Sequence, residues 1–560
     1  MPSVANYIIR TLRACGGDVV FGYPGQSNIL LLRAAGSAGM QFVQTADERS
    51  AGFAACGYYM STGRPAVVCT SKGPGTTNLL TSVVSARKDG VPLIVVTGNV
   101  AEEYCGRNAF QEFDAVSAFK ASDAVKAAAH CARASELPEL LEDLFRAAWT
   151  IPYGPVLLDL PYCILGDVLL AEPRTIELPN SSITAREDAD EAQSLLRAEE
   201  AVKQARRPVI IVGRGAREDW RMVRQFIQAY DIPVVHTIGG TGIVSTEDRL
   251  YSGLLRLNGH PEAASVVRSA DLVVALGTGL DDRATGGGPP IAPTVIRIQV
   301  DIDAAVLQRT DFADIRLQMS VAEFLSRLGA GLERPLNHGE WTRGKRSFDV
   351  CDDRPPGSTF LSAVDVVQAV HDELFDAILV KDSGLHKYWA TKLAPCTRPE
   401  HSIASCHFGS MGFAIPSAIG ACIGNPQKTV VAICGDGCLL MSISDLLTAV
   451  REKCENLKIV VFNNAGLGST RAHEKNLAGA EPRISVFGEH CPIAGYADAF
   501  GIESYRVTDS NGLAAMKNRM TKAGLVLFDC VIDPTEAIPD LSFSLDVIAD
   551  ESEPVLNQGS

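Results

Sequence analysis

No apolar run in the 560-residue sequence approaches the ~20 residues that a membrane-spanning helix needs. Lys/Arg-rich runs and basic stripes are also missing, and 51 Lys+Arg against 66 Asp+Glu leave a net charge of −15. Membrane and nucleic acid are therefore not expected partners, because a polyanion is gripped by clustered cations. The N-terminal Met1-Pro2-Ser3-Val4-Ala5-Asn6 lacks the basic start and apolar core of a secretory signal, which makes a cytoplasmic location the expectation. The fifteen cysteines are odd in number, scattered among apolar neighbours and without a CxxC. Cys434 and Cys438 bracket a Gly-Asp-Gly turn, but no second pair completes a zinc site, so reduced, buried thiols are expected. No GxGxxG follows a first strand with an acid ~20 residues later, which argues against a nicotinamide dehydrogenase.

What is present is a regular alternation of β-branched strands with helical segments. Arg64-Pro-Ala-Val-Val-Cys-Thr70, Val91-Pro-Leu-Ile-Val-Val-Thr97, Pro208-Val-Ile-Ile-Val-Gly213 and Thr429-Val-Val-Ala-Ile-Cys434 are continuous apolar runs. Strands of this kind are buried on both faces, as in parallel α/β sheets. Two polar stretches, Ala171 to about Glu191 and Gly331 to about Ser358, carry Pro, Ser, Asn and Gly and read as linkers. They divide the chain into three doubly wound parallel-sheet domains of the α/β class, at residues 1–170, 190–330 and 358–540. The tail after about Ile538 is acidic and is expected to be loosely held.

The most specific chemistry lies in the last of these domains. Strand Thr429–Cys434 runs into Gly435-Asp436-Gly437, and a helical stretch then leads to a second strand ending in Asn463-Asn464. Both motifs sit at carboxyl ends of parallel strands, where open sheets bind ligands. Glycine lets the backbone approach a phosphate closely, and a following helix offers free N–H donors. The Asp436 carboxylate, the Asn464 amide oxygen and a backbone carbonyl at Gly466 are hard ligands of the kind Mg²⁺ prefers, with phosphate and water completing an octahedron. Gly-Asp-Gly followed about thirty residues later by Asn-Asn resembles the diphosphate-binding fingerprint of thiamine-diphosphate enzymes.

Further motifs extend that resemblance through nearly the whole chain, to the acetolactate synthase family. Val20-Phe-Gly-Tyr-Pro-Gly25, the Glu48 segment Thr45-Ala-Asp-Glu-Arg-Ser-Ala-Gly, Thr70-Ser-Lys-Gly-Pro-Gly-Thr-Thr-Asn78 and Phe110-Gln111-Glu112 are similar to its N-terminal domain. Asp382-Ser-Gly-Leu-His-Lys-Tyr-Trp389 and Gly409-Ser-Met-Gly-Phe-Ala-Ile-Pro416 are similar to its two C-terminal cofactor loops. The resemblance implies a carboligase, a C–C bond-forming transferase or lyase. Such an enzyme decarboxylates a pyruvate-like 2-oxo acid and passes the acyl carbanion to a second carbonyl acceptor. Glu48 would contact the aminopyrimidine ring and Gln111 would steer the acceptor, while Pro24, Gly25 and Asn78 would lie on the pyrimidine side. Gly409 would accept from the 4′-amino group, and Met411 would wedge the cofactor into its folded form. Ser383, Gly384, Leu385, His386, Gly435, Asp436, Gly437, Cys438, Asn464 and Gly466 would hold diphosphate and metal. In the family the two halves of a site come from different subunits, which implies a homodimer or homotetramer.

Departures from the family concern the substrate. Ser469 and Thr470 stand where the family has Met and Val, His473 stands at a Trp position, Gln26 replaces a glycine, and Cys406-His407-Phe408 replaces Gly-Gly-Leu. Polar groups at Gln26, His407, Ser469 and His473 imply an acceptor larger or more hydroxylated than pyruvate. Two rivals share the cofactor motifs, a non-oxidative decarboxylase and a flavin-linked oxidase. The adjacent His-His pair typical of the first is absent. Family members often hold FAD centrally, and Gly213-Arg-Gly215, Thr237-Ile-Gly239, Asp281-Asp-Arg-Ala-Thr-Gly286 and Val300-Asp-Ile-Asp303 resemble that site. Gly279 replaces a family arginine and Gln318-Met319 a Gly-Asp pair, so FAD stays open.

Overall fold

The computed structural model describes residues 3–177, 189–255, 259–281, 294–309, 312–332, 357–478 and 481–536, with residues 284, 291, 341 and 354. Much of both linkers, part of the Asp281–Gly286 run and the acidic tail lie outside the described residues.

Among the described residues the apolar runs form three six-stranded sheets. The first comprises β1 (Val19–Gly22), β2 (Gln41–Gln44), β3 (Ala66–Thr70), β4 (Leu93–Asn99), β5 (Ala127–His130) and β6 (Val156–Pro161). The second comprises β7 (Pro208–Val212), β8 (Val234–His236), β9 (Tyr251–Leu254), β10 (Leu272–Leu276), β11 (Ile296–Val300) and β12 (Ile315–Leu317). The third comprises β13 (Ile378–Lys381), β14 (Ser402–Ala404), β15 (Val430–Gly435), β16 (Leu457–Asn463), β17 (Glu503–Val507) and β18 (Val526–Val531). Every pairing is parallel. Central strands such as β4 and β16 are buried at every position, because helices cover both faces.

Strand order decides where ligands can sit. The first sheet runs β2-β1-β3-β4-β6-β5 and the third runs β14-β13-β15-β16-β18-β17, which is the same order repeated. The middle sheet runs β12-β11-β10-β7-β8-β9, the order of a dinucleotide-binding fold. The order reverses at β1/β3, β7/β10 and β13/β15, and the crevice at the carboxyl ends of those strands is the expected binding position; the outer sheets turn back once more at their far edges, where β5 and β17 lie outside β6 and β18.

The first and third sheets are joined by helices Glu48–Thr62 and Ala414–Gly424. Asp47 caps the former by accepting from Ser50 N at 2.7 Å, and Gly63 at φ 70° ends it. Its Gly-Ala-Cys composition leaves little side chain on the packed face. A Cβ on Gly57 would stand 1.9 Å from the Ser417 carbonyl oxygen, and one on Gly420 would stand 1.9 Å from that of Ala54. Phe53 and Phe413 meet edge to face at 5.4 Å, and the Ser417 hydroxyl donates to the Phe53 carbonyl at 2.9 Å. The two backbones are therefore in direct contact inside one apolar cluster that spans both domains.

Alanine favours a helix over glycine by ~1 kcal/mol, yet an extra methyl against backbone costs about 1–3 kcal/mol. Thermal denaturation should therefore give lower midpoints for Gly57→Ala and Gly420→Ala. Gly36→Ala, where a Cβ meets nothing within 4 Å, should leave the midpoint unchanged or raise it.

Candidate active site

Asp436 follows β15 directly and is 1% exposed. Its carboxylate accepts from Gly437 N at 2.8 Å and from Gly466 N at 3.0 Å, which ties the turn after β15 to the turn after β16. Burial pushes this carboxyl up to about 6, a desolvation cost that a bound divalent cation offsets. Asn464 lies beside it at the next strand end, also buried, and Ala465 follows at φ 56°. Asn463 plays a different part, since its amide donates to Asp529 at 2.8 Å and to the Cys491 carbonyl at 2.8 Å, fixing β16 to β18. Among the described residues no cluster of three or more His, Cys, Asp or Glu could hold a metal unaided. A cation here needs ligand oxygens in addition to Asp436, Asn464 and the Gly466 carbonyl.

The turn after β13 completes this half. Gly384 adopts φ 147°, and a Cβ there would press on the His386 ring at 2.6 Å. His386 is 5% exposed and stacks near Phe462, and its Nε2 has no hydrogen-bond partner. Burial holds the imidazole neutral, with its pKa pushed down to about 3. An orphaned buried nitrogen beside glycine turns at 384, 435 and 437 is what a polyanionic ligand with acceptor oxygens would satisfy. The Cys438 thiol donates to the Ser383 carbonyl at 3.1 Å, so this residue links the two turns. Leu385 is buried in the apolar cluster beneath the sheet.

Asp382 is a residue that the motifs do not single out. Its carboxylate accepts from Ser383 N at 2.8 Å, Gly412 N at 3.1 Å and Ala414 N at 2.8 Å, and so locks loop 409–414 onto the turn after β13. Its position, a lone acid at a strand end just before Ser-Gly, was the available signal. Gly409 sits at φ 68°, and the Met411 side chain lies over Gly437, where a Cβ would be 3.5 Å from its methyl.

The other half gathers at the carboxyl end of the first sheet. Glu48 opens its helix, and its carboxylate accepts from the Asn78 amide at 2.9 Å, with Gly75 packed against it. In the turn after β1, Gly25 N donates to Asn28 at 2.8 Å, and a Cβ on Gly25 would collide with Ser71 at 2.5 Å. Pro24 is half-buried and Gln26 exposed in this turn. Gln111, at φ 63°, rests on Gly73 of the turn after β3. Thus Glu48, Asn78, Gly25 and Gln111 are brought to one rim. The four expected substrate-pocket residues occupy three places: Gln26 here, His407 in loop 405–409, and Ser469 with His473 on helix Gly468–Ala478.

The turn Glu102–Tyr104, which precedes the Gln111 segment, is clamped electrostatically. His130 donates to the buried Asp159 at 2.7 Å and to Glu102 at 2.9 Å. The Asp159 hydrogen bond, aided by Glu102, outweighs burial and lifts His130 to about 9. A raised folded-state pKa contributes stability that is fully present below the ordinary histidine range and lost as pH rises through about 9. Denaturation midpoints should therefore fall between pH 7 and 9.5, and His130→Gln should remove that decline.

A cavity of about 1610 Å³ opens where the middle sheet reverses, lined by Gly215, Gly239 and Gly277. Asp89, Tyr153 and His407 line it from the other two domains. Gly215 N donates to the Gly277 carbonyl at 2.8 Å, so the turns after β7 and β10 touch through backbone alone.

Comparison with known proteins agrees with this geometry. Residues 2–118 match the N-terminal TPP binding domain of thiamine pyrophosphate (thiamine diphosphate) enzymes, residues 195–328 their central domain and residues 382–530 their C-terminal TPP binding domain. The chain is 30% identical to the acetolactate synthase isozyme 2 large subunit of Escherichia coli, over 95% of this chain and 96% of that one. It is 31% identical to the acetolactate synthase large subunit of Corynebacterium glutamicum, over 99% and 88%. It is also 31% identical to a probable chloroplastic acetolactate synthase 2 of Oryza sativa, over 98% and 86%. With both cofactor-binding rims built and the similarity running end to end, the chain belongs to the acetolactate synthase family of thiamine-diphosphate enzymes.

Proposed function

We propose that this carboligase takes a pyruvate-like 2-oxo acid as donor and a carbonyl compound more hydroxylated than pyruvate as acceptor. The observation that carries the reading is the pairing of two rims. Glu48 with Asn78 stands at one rim, and Asp436, Asn464 and His386 with its unpartnered Nε2 stand at a rim of identical strand order.

Asp436, Asn464 and the Gly466 carbonyl would hold Mg²⁺, with Ser383, Gly384, Leu385 and His386 around the diphosphate. Thiamine diphosphate, when bound, supplies the electron sink for loss of carbon dioxide. Glu48, whose carboxylate Asn78 keeps oriented, would exchange a proton with the aminopyrimidine ring. The Gly409 carbonyl would accept from the ring's amino group, Met411 would pack against the cofactor, and Gln111 would donate to the acceptor oxygen. Ser469, His473 and Gln26 supply polar contacts in place of apolar walls.

The two rims belong to different domains, and large apolar side chains are exposed near both. Phe110 is 81% exposed and Ile484 91%, with Tyr23, Leu440 and Met441 also open. Such patches suit burial against a second copy, in a homodimer or a homotetramer built from dimers. The central cavity, with its glycine turns at a reversal of strand order, suits the FAD that family members often carry. Among the described residues no helix is long and apolar enough to cross a membrane, and the location proposed is cytoplasmic.

Glu48→Gln should cut carbon dioxide release by roughly 10²–10⁴-fold while Mg²⁺ and cofactor titrations stay close to the parent. Retained turnover would overturn the assignment. Given pyruvate alone the enzyme should form acetolactate slowly, and mass spectrometry should find faster product formation with hydroxylated aldehydes or ketones. Efficient acetolactate synthesis would refute the changed acceptor. An absorption spectrum of the purified protein checks for flavin.

A further inference from the structure

Ala465 lies between the two ligands assigned in the turn after β16, and it stands at φ 56°, in the left-handed region that favours glycine. Such a conformation persists only where the surroundings hold it. The holding group comes from the helix that follows, Gly468–Ala478. One turn into that helix, Arg471 reaches back to the turn it has just left. Its Nη1 donates to the Asn464 carbonyl at 3.0 Å and its Nη2 to the Ala465 carbonyl at 2.9 Å. These carbonyls belong to the two peptide groups that flank the Ala465 Cα, so fixing both fixes the backbone angles between them. Nη1 also donates to the Pro534 carbonyl, in the segment after β18. With the turn set in this way, Gly466 N meets the Asp436 carboxylate at 3.0 Å.

Main-chain contacts hold only part of the turn. Phe487 N donates to the same Ala465 carbonyl at 2.9 Å, and Leu467 N donates to the Ser485 carbonyl at 2.8 Å. Among the described residues the Asn464 carbonyl is reached by Arg471 alone. Space is as restricted as the bonding. A Cβ on Gly466 would lie 2.6 Å from Arg471 Nη2, and one on Gly468 would lie 2.6 Å from Asn464 Nδ2, so the Asn464 amide packs against the start of the helix.

We propose that Arg471 is the positioning residue of the metal turn, setting the angles at Ala465 at which Asn464 and the Gly466 carbonyl ligate one divalent cation together with Asp436. The inference rests on the metal site proposed above. Ser469 and His473 lie two positions to either side of Arg471, so the contact that shapes the turn also fixes the helix carrying these two pocket residues. Arginine suits the task because its planar fork reaches two carbonyls at once, whereas a lysine ammonium is a point donor. Charge alone would act in the opposite sense. A guanidinium that already interacts with the Asp436 carboxylate competes with a cation for it. Geometry and charge therefore predict opposite effects of removing the side chain.

The test uses the intact enzyme with thiamine diphosphate and with Mn²⁺ as the probe, following free Mn²⁺ by electron paramagnetic resonance. Arg471→Ala should weaken Mn²⁺ binding by ~10–100-fold. Arg471→Lys, which keeps the charge and loses the fork, should weaken it by a similar factor. Guanidinium at a concentration too low to denature should restore the affinity of Arg471→Ala and leave that of Arg471→Lys low. Carbon dioxide release by both variants should recover as Mn²⁺ is raised. Mn²⁺ binding unchanged or tighter in Arg471→Ala would overturn the proposal. A loss that guanidinium does not relieve, with a lowered melting midpoint of the unliganded enzyme, would mark a general loss of the fold and overturn it as well. Failure of the parent enzyme to bind Mn²⁺ in the presence of thiamine diphosphate would overturn the metal site itself.

Discussion

Both rims are held in place by the backbone contact between helices Glu48–Thr62 and Ala414–Gly424. At Gly57 and Gly420 a single methyl group would lie 1.9 Å from a carbonyl oxygen of the partner helix, so the two helices meet backbone to backbone with no room for a side chain. One helix begins with Glu48 and the other follows directly on the loop that carries Gly409 and Met411. Close packing in the middle of the molecule thereby fixes the rims at which the chemistry is assigned. Asp445 adds to this, accepting from the Ser50 hydroxyl at 2.6 Å across the same junction while burial pushes its carboxyl up to about 7.

Around that junction the chain uses one architecture twice. The first and third sheets share a strand order, and both present short turns at the reversal, yet the turns have diverged in chemistry. One offers a carboxylate with an amide partner, which suits proton exchange with a heterocycle. The other offers hard oxygen ligands and glycine cradles, which suit a metal diphosphate. The middle sheet, with a different order, has no part in either rim and instead encloses the cavity on which His407 opens.

How much of this was legible in the sequence follows from how each feature is encoded. The turns at Gly435-Asp436-Gly437 and Asn464 could be read as neighbours because they close two strands of one βαβ unit, and Asp436 does accept from Gly466 N across them. The continuous apolar strands were legible for the same local reason, since burial on both faces leaves a compositional mark. Asp89 pairs with His407 Nδ1 at 3.2 Å across 318 residues of sequence, and nothing local to either announces the pair. Asp382 gave only the weak signal of an acid at a strand end, and its role depends on amides thirty and thirty-two residues away. The shared strand order of the outer domains left no repeated motif, because topology is set by which apolar strands pair and many sequences satisfy the same pairing. Nothing in the motif announces that the Cys438 thiol donates to the Ser383 carbonyl.

Glu48 is engaged by Asn78 and Gly75 of its own domain, while Asp436 ties the strand ends of the third. The proposed dimer makes one active site from the Glu48 rim of one copy and the Asp436 rim of another. The direct measurement is complementation between two inactive variants, Glu48→Gln and Asp436→Ala, co-expressed with different tags and purified as the mixed dimer. One of its two sites then carries both lesions and the other carries neither, so the mixed dimer should show about half the parent's activity. A mixed dimer as inactive as either variant alone would place both residues in the same chain's site and contradict the shared-site arrangement.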